Sequence, residues 1–197
     1  PRLAQVVVNE ADREWARERL GEARPLVVIH TGGGSDSYAR RWLPERFAET
    51  ANRLHRERGA SIVLVGGKGD NTAEAAAYLQ VPYLDLSGET TLPQLSAVFE
   101  RAELFIGAES GVMHLAAAAG APLAAIFGPG NAAAWGPWTP ESPAVIVRSA
   151  PECSPCSYVD HTTGLREGCA ARTCITMIDA ARVYAVALNL LDGRIPA

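Results

Sequence analysis

The residues best suited to chemistry lie in four glycine-punctuated loops. The first reads His30-Thr31-Gly32-Gly33-Gly34-Ser35-Asp36-Ser37 and is followed closely by Arg40 and Arg41. Three glycines let the backbone approach a ligand and present N–H groups to an anion. Hydroxyls and a guanidinium fork beside them suit a diphosphate, so Gly33, Ser35 and Arg40 are candidates for holding one. The plain alternative is a surface loop next to a solvated Arg pair. No Gly-Lys-Ser/Thr follows, which excludes a Walker A loop.

The second loop, Gly66-Gly67-Lys68-Gly69-Asp70-Asn71, offers Asp70 as an acceptor for ribose hydroxyls near a helix start, or as that helix's N-cap. The third is the most informative: Gly107-Ala108-Glu109-Ser110-Gly111-Val112-Met113-His114 runs into an Ala-rich stretch. Ser110 and Gly111 stand where a helix opens, so free N–H groups and the positive end of the dipole would face a ligand. Glu109 precedes the cap and can bind sugar hydroxyls, while His114 lies one turn further along. A lone His on such a helix is more often packing than catalysis. The fourth loop, Phe127-Gly128-Pro129-Gly130-Asn131, continues to Trp135-Gly136-Pro137-Trp138. Packing of those indoles against the domain's own edge is preferred over a place in a cleft.

These loops need a scaffold that brings them together, and the pattern between them supplies one. Short aliphatic runs at Leu26–His30, Ser61–Val65, 103–107, 123–127 and Ala144–Val147 alternate with amphipathic segments. Helices are predicted over Pro44–Arg58, 72–79, 92–101, 111–119 and 179–191, giving strand-helix units around a parallel sheet. The expected fold is α/β, a doubly wound, Rossmann-like parallel sheet with its ligand beyond the carboxyl ends of the strands. Residues 9–21 read as a helix arriving from something upstream, because the sequence starts in mid-pattern at Pro1 without a Met. The expected organisation is a linker and helix over residues 1–22, then one domain over 23–197 with a Cys-rich insertion at 151–176.

A chain of 197 residues suits one such domain. A net charge of -4 gives no general reason to bind nucleic acid, so an anionic ligand must be held by local groups. No apolar run approaches the ~20 residues that cross a bilayer, and Pro1-Arg2-Leu3-Ala4 is not a signal peptide. The expectation is a cytoplasmic protein.

The four cysteines fall together as Cys153-x2-Cys156-x12-Cys169-x4-Cys174. Four thiolates at that spacing can bind zinc or iron tetrahedrally and tie down a long loop. Free or oxidisable thiols are the alternative, and disulfides are less expected in the cytosol.

Taken in order, Arg40-Arg41-Trp42-Leu43-Pro44-Glu45-Arg46-Phe47-Ala48-Glu49, the Gly66-to-Asp70 turn, Leu86-Ser87-Gly88-Glu89-Thr90-Thr91-Leu92, Glu109-Ser110-Gly111-Val112-Met113-His114-Leu115-Ala116-Ala117-Ala118 and Ile126-Phe127-Gly128-Pro129 resemble the C-terminal domain of glycosyltransferase family 9. These are the ADP-heptose:lipopolysaccharide heptosyltransferases. Each motif is weak alone, but the ordered set covers nearly the whole chain. The resemblance implies a GT-B enzyme of two Rossmann-like domains, of which this is the donor-binding half. It implies an ADP-sugar donor, a lipid-linked glycan acceptor and an inverting mechanism that requires no metal. Arg40 would then grip the diphosphate where the family commonly has Lys, Asp70 would contact ribose, and Thr90 and Thr91 would lie near adenine. Ser110, Gly111 and His114 would hold the diphosphate and sugar. Glu109 departs from the family's usual Asp by one methylene, which bears on the sugar selected. The catalytic base belongs to the family's N-terminal domain, so no catalytic residue is assigned and the isolated chain is expected to be inactive. Family 9 also contains Cys-rich insertions, although most members lack a metal. The enzyme would work in lipopolysaccharide assembly at the inner face of the cytoplasmic membrane. The competing reading is a stand-alone nucleotide-sugar-binding or regulatory module. An epimerase or phosphorylase sharing the architecture would need a second acid/base constellation, which the sequence lacks.

Overall fold

The computed structural model describes residues 6–22, 24–32, 38–70, 72–139, 142–156 and 169–194. Its centre is a six-stranded, all-parallel sheet in the order β3-β2-β1-β4-β5-β6. The strands are β1 (Leu26–His30), β2 (Ser61–Val65), β3 (Tyr83–Asp85), β4 (Leu104–Ala108), β5 (Leu123–Ile126) and β6 (Ala144–Val147). β1 and β4 are buried along their whole length, which is why they read as unbroken aliphatic runs rather than alternating ones. The chain winds outward from β1 to β3 and then returns to β4, so the order reverses between β1 and β4. A crevice opens at that switch point.

Helices cover both faces. α2 (Pro44–Arg58) and the closing α8 (Ala180–Leu191) pack on one face, where Phe47, Leu54, Val183 and Ala187 join Ile29, Ile106 and Ile126 in one apolar cluster. α4 (Leu92–Glu100) and α5 (Gly111–Ala118) lie on the other, where Val98, Phe99, Met113 and Ala116 meet Val28, Phe105 and Ala125. Pro44 at the first turn and Gly59 in the left-handed conformation bound α2 as the sequence predicts. α1 (Glu10–Leu20) opens with an Asn9 capping box and lies along α4. Ala16 and Leu20 are buried there, and Arg13 donates to both Glu100 oxygens at 2.8 and 3.0 Å.

Several boundaries differ from the sequence reading. β4 begins one residue later because Glu103 is spent at the amino-terminal end of the central strands, where its carboxylate accepts the Leu26 N–H at 2.6 Å. α3 (Thr72–Ala76) stops three residues early, the chain tightening through bonds from Tyr78 to Ala75 and from Leu79 to Ala76. The edge strand β3 and two one-turn helices, α6 (Ala132–Trp135) and α7 (Thr173–Thr176), carry too few residues to show a period. Trp135 and Trp138 are 55% and 62% exposed. They do not pack on the domain edge as expected: Trp135 ends the one-turn α6, Trp138 follows the extended Gly136, and both are solvent-exposed. No helix among the described residues is long and apolar enough to cross a membrane.

Candidate functional site

The crevice beyond the carboxyl ends of β1, β2 and β4 holds a cleft of about 550 Å³. His30, Asp70, Ser110, Gly111 and His114 form its polar side, and Leu92, Val112, Leu115 and Ala118 its apolar wall. The sequence reading placed Asp70, Ser110, Gly111 and His114 in one site, and the fold brings these four together. His30 was not among those candidates, yet it connects them. Its Nε2 lies 3.2 Å from Asp70 Oδ2, and its Nδ1 lies 3.3 Å from Ser110 Oγ. The signal in the sequence was a polar residue closing an otherwise aliphatic strand immediately before the glycine loop.

Asp70 is positioned from several directions. Its Oδ2 accepts the Gly67 N–H at 2.7 Å as well as the His30 bond. A Cβ on Gly32 or Gly66 would stand 2.4 or 2.9 Å from its carboxylate oxygens, so both glycines make room for the acid. Hydrogen bonding from His30, with help from Gly67 and the charge of Arg41, holds its carboxyl below the usual Asp range against the opposing effect of burial. Its side chain turns toward His30 and Gly67 rather than along α3.

Ser110 is the N-cap of α5, its Oγ accepting the Met113 N–H at 3.3 Å. Gly111 and Val112 have no intrahelical partner for their N–H groups, and they open on the cleft. Glu109, one residue earlier, is 4% exposed, and its Oε2 has no hydrogen-bond partner among the described residues. Burial pushes its carboxyl above the usual Glu range, an effect that Arg40 only partly offsets with a nitrogen 3.8 Å from Oε1. Arg40 ends a short 3-10 turn, Tyr38–Arg40, and stands on the Glu109 side of the start of α5. Thr91 is occupied as the N-cap of α4, where its hydroxyl and N–H share a capping box with Gln94. Thr90 is half-buried beside it, and the cleft is lined at this end by Leu92. Gly33 and Ser35 lie outside the described residues.

The cysteines do not form a ready metal centre. Cys153 and Cys169 are exposed, Cys156 is half-buried and Cys174 is buried. The four thiols are near enough to feel one another's charge, but no three His, Cys, Asp or Glu side chains among the described residues are grouped closely enough to hold an ion. Cys169 Sγ instead accepts the Arg172 N–H at 3.3 Å, and Cys174 faces Gly128 under β5.

A six-stranded parallel sheet with helices on both faces, and a switch-point cleft lined by Asp70 and the capped start of α5, is the Rossmann-like fold of a GT-B glycosyltransferase domain. The chain belongs to glycosyltransferase family 9 (heptosyltransferase), whose profile matches residues 3–164. It is 37% identical over 147 residues to lipopolysaccharide heptosyltransferase 3 of Escherichia coli, covering 70% of this chain and 42% of that protein. Among solved structures it resembles the glycosyl transferase family 9 protein of Veillonella parvula DSM 2008, with a TM-score of 0.77 and 24% identity, over 96% of this chain and 54% of that one. The Escherichia coli ADP-heptose lps heptosyltransferase II gives a TM-score of 0.67 and 25% identity over the same shares. The chain thus spans about half the length of the relatives it matches.

Proposed function

We propose that this chain is the donor-binding domain of a heptosyltransferase that moves heptose, or a closely related sugar, from an ADP-sugar to a lipopolysaccharide-type, lipid-linked acceptor. The observation that carries the reading is the convergence of Asp70, Ser110, Gly111 and His114 on a cleft with one apolar wall. An apolar slot with an acid at one end and a helix start at the other has the chemistry of a nucleoside diphosphate: base, ribose diol, then phosphates. The family, and the heptosyltransferase names of its relatives, support the sugar and the acceptor class.

In this reading Leu92, Val112 and Leu115 flank the base beside Thr90 and Thr91, and Asp70 accepts from the ribose. The diphosphate rests on the Gly111 and Val112 N–H groups and on Arg40, with Gly33 and Ser35 as further phosphate-binding candidates from the sequence. Glu109 and His114 contact the sugar. An acceptor hydroxyl attacks the anomeric carbon from the face opposite the diphosphate. The bond from that carbon to the diphosphate oxygen breaks, the configuration inverts, and ADP leaves with the electron pair. Arg40 and the helix start stabilise the charge that develops on the leaving oxygen without a required metal, and the four cysteines have no part in this step. The base that removes the acceptor proton comes from an N-terminal domain of the same protein. Residues 1–22 lead from that domain, residues 23–197 form this one, and without its partner the domain binds donor but does not transfer. The site of action is the inner face of the cytoplasmic membrane.

Calorimetric titration with ADP, UDP, GDP and AMP tests this. Selective binding of ADP over the other nucleotides is expected. A preference for UDP or GDP would overturn the donor assignment, and failure to bind any of them would overturn the site.

A further inference from the structure

We infer that His30 is a positioning residue that couples the two ends of the donor site, holding the Asp70 carboxylate and the Ser110 hydroxyl on one imidazole and taking up a proton when a diphosphate claims that hydroxyl. The inference rests on the donor-site reading above. It follows from counting hydrogens along a chain of three bonds.

The side chain of His30 is 2% exposed, so solvent cannot serve its nitrogens. Ser110 Oγ accepts from the Met113 N–H and also contacts His30 Nδ1 at 3.3 Å, while Nε2 meets Asp70 Oδ2 at 3.2 Å. Asp70 is ionised and can only accept, so Nε2 carries a hydrogen. With a neutral ring Nδ1 is then bare, and the single hydroxyl hydrogen of Ser110 must point at it. The chain runs one way, from the Met113 N–H through Ser110 and His30 to Asp70.

A phosphate oxygen arriving at the start of α5 brings no hydrogen of its own at neutral pH, so a bond to Ser110 requires the hydroxyl hydrogen to turn outward. Nδ1 and Oγ would then face each other without a hydrogen between them. Moving the ring hydrogen from Nε2 to Nδ1 only transfers that clash to Asp70. A proton taken from solvent onto Nδ1 resolves both contacts: the imidazolium donates to Asp70 and to Ser110, and Ser110 donates to phosphate. The ring is faced by groups of both signs. Asp70 lies on one side, with Arg41 beyond it, and Glu109 with its Arg40 neighbour adjoins Ser110. His114 is the other titratable group on the cleft, while the strand neighbours Val65 and Gly107 carry no charge. The incoming diphosphate adds negative charge where the imidazolium forms.

The test is calorimetry of ADP and of adenosine at about pH 8, where the nucleotide phosphate is already fully ionised, in buffers of different ionisation enthalpy. Net proton uptake is expected with ADP and none with adenosine, which makes no claim on Ser110. In His30→Gln, which keeps a polar group of similar reach, the uptake should vanish and ADP should bind about ten-fold more weakly, or about 1.4 kcal/mol. Should that variant not fold, the comparison of ADP with adenosine in the unaltered protein decides. ADP binding without proton uptake, or equal uptake in folded His30→Gln, would overturn the role of His30 and leave the donor site standing. No ADP binding by the unaltered protein would overturn both.

Discussion

A side-chain carbon at position 130 would stand 1.7 Å from Oε2 of Glu109. Gly130, after β5, and Glu109, after β4, therefore share one volume. The carboxylate occupies the space that any other residue at position 130 would need. Gly130→Ala should force the Glu109 side chain out of its rotamer at a cost of about 1–3 kcal/mol. Calorimetric melting would register the loss of stability, and ADP-sugar affinity should fall more than ADP affinity if the displaced group contacts the sugar as proposed.

Glu109 also links stability to pH. Burial raises its folded pKa above the ordinary value of 4.5, so between those two values the native state holds a proton that the unfolded chain has lost. Stability contributed at this site therefore falls as pH rises through that window. Glu109→Gln should melt higher than the unaltered protein at pH 7, and the gap should close as the pH drops below about 4.5. A gap that is constant from pH 4 to 8 would show that the carboxylate is not held protonated by its surroundings.

Two substitutions divide the donor between its ends. Arg40→Ala removes a charged partner of the phosphates and should weaken ADP by about 10- to 100-fold, on the order of 1.5–3 kcal/mol, while leaving adenosine unaffected. Asp70→Ala should weaken ADP and adenosine alike. Unchanged ADP affinity in both variants would move the donor elsewhere. Asp70 has the opposite pH sign from Glu109: its lowered pKa stabilises the fold above the ordinary Asp value of 3.8, and the contribution is lost as the pH falls through the lower folded value.

The cysteines differ in environment, and alkylation should report it. Cys153 and Cys169 are exposed, whereas burial raises the thiol pKa of Cys156 and Cys174 above the usual 9.0 and the neighbouring thiols raise it further. At pH 8 the first pair should react well before Cys174, as mapped by mass spectrometry. Uniform protection of all four, relieved by a chelator, would instead show that a metal draws them together.

How much of this could be read from sequence depended on the length of each signal. β1, β2 and β6 matched to the residue, because each is a short aliphatic run with sharp ends, fully buried in β1 and only partly so in the edge strand β6. β3 was missed because its three residues, Tyr83–Asp85, are half polar and lie at the sheet edge. The glycine loops revealed where ligands would gather, but not which glycine serves which side chain. Gly66 clears space for Asp70 within one turn, but that Gly32 does so too, and that Gly130 does so for Glu109, depends on separate loops meeting at one switch point. The bridge by His30 was hidden for the same reason, since its partners lie 40 and 80 positions away.

The placement of α8 bears on how the protein is made. This last helix covers β4, β5 and β6 on the α2 face. As the chain leaves the ribosome, Ile106, Ala124 and Ile126 stay uncovered on this face until residues 180–191 have emerged, so the growing polypeptide presents an apolar sheet face between the making of β5 and that of α8. Trp42 links the same event to the donor loop, because its indole N–H is received at 2.8 Å by the carbonyl of Ile178, just before α8. The segment that carries Arg40 therefore acquires this anchor only after Ile178 has been made, which places completion of the proposed donor loop late in the folding of this domain.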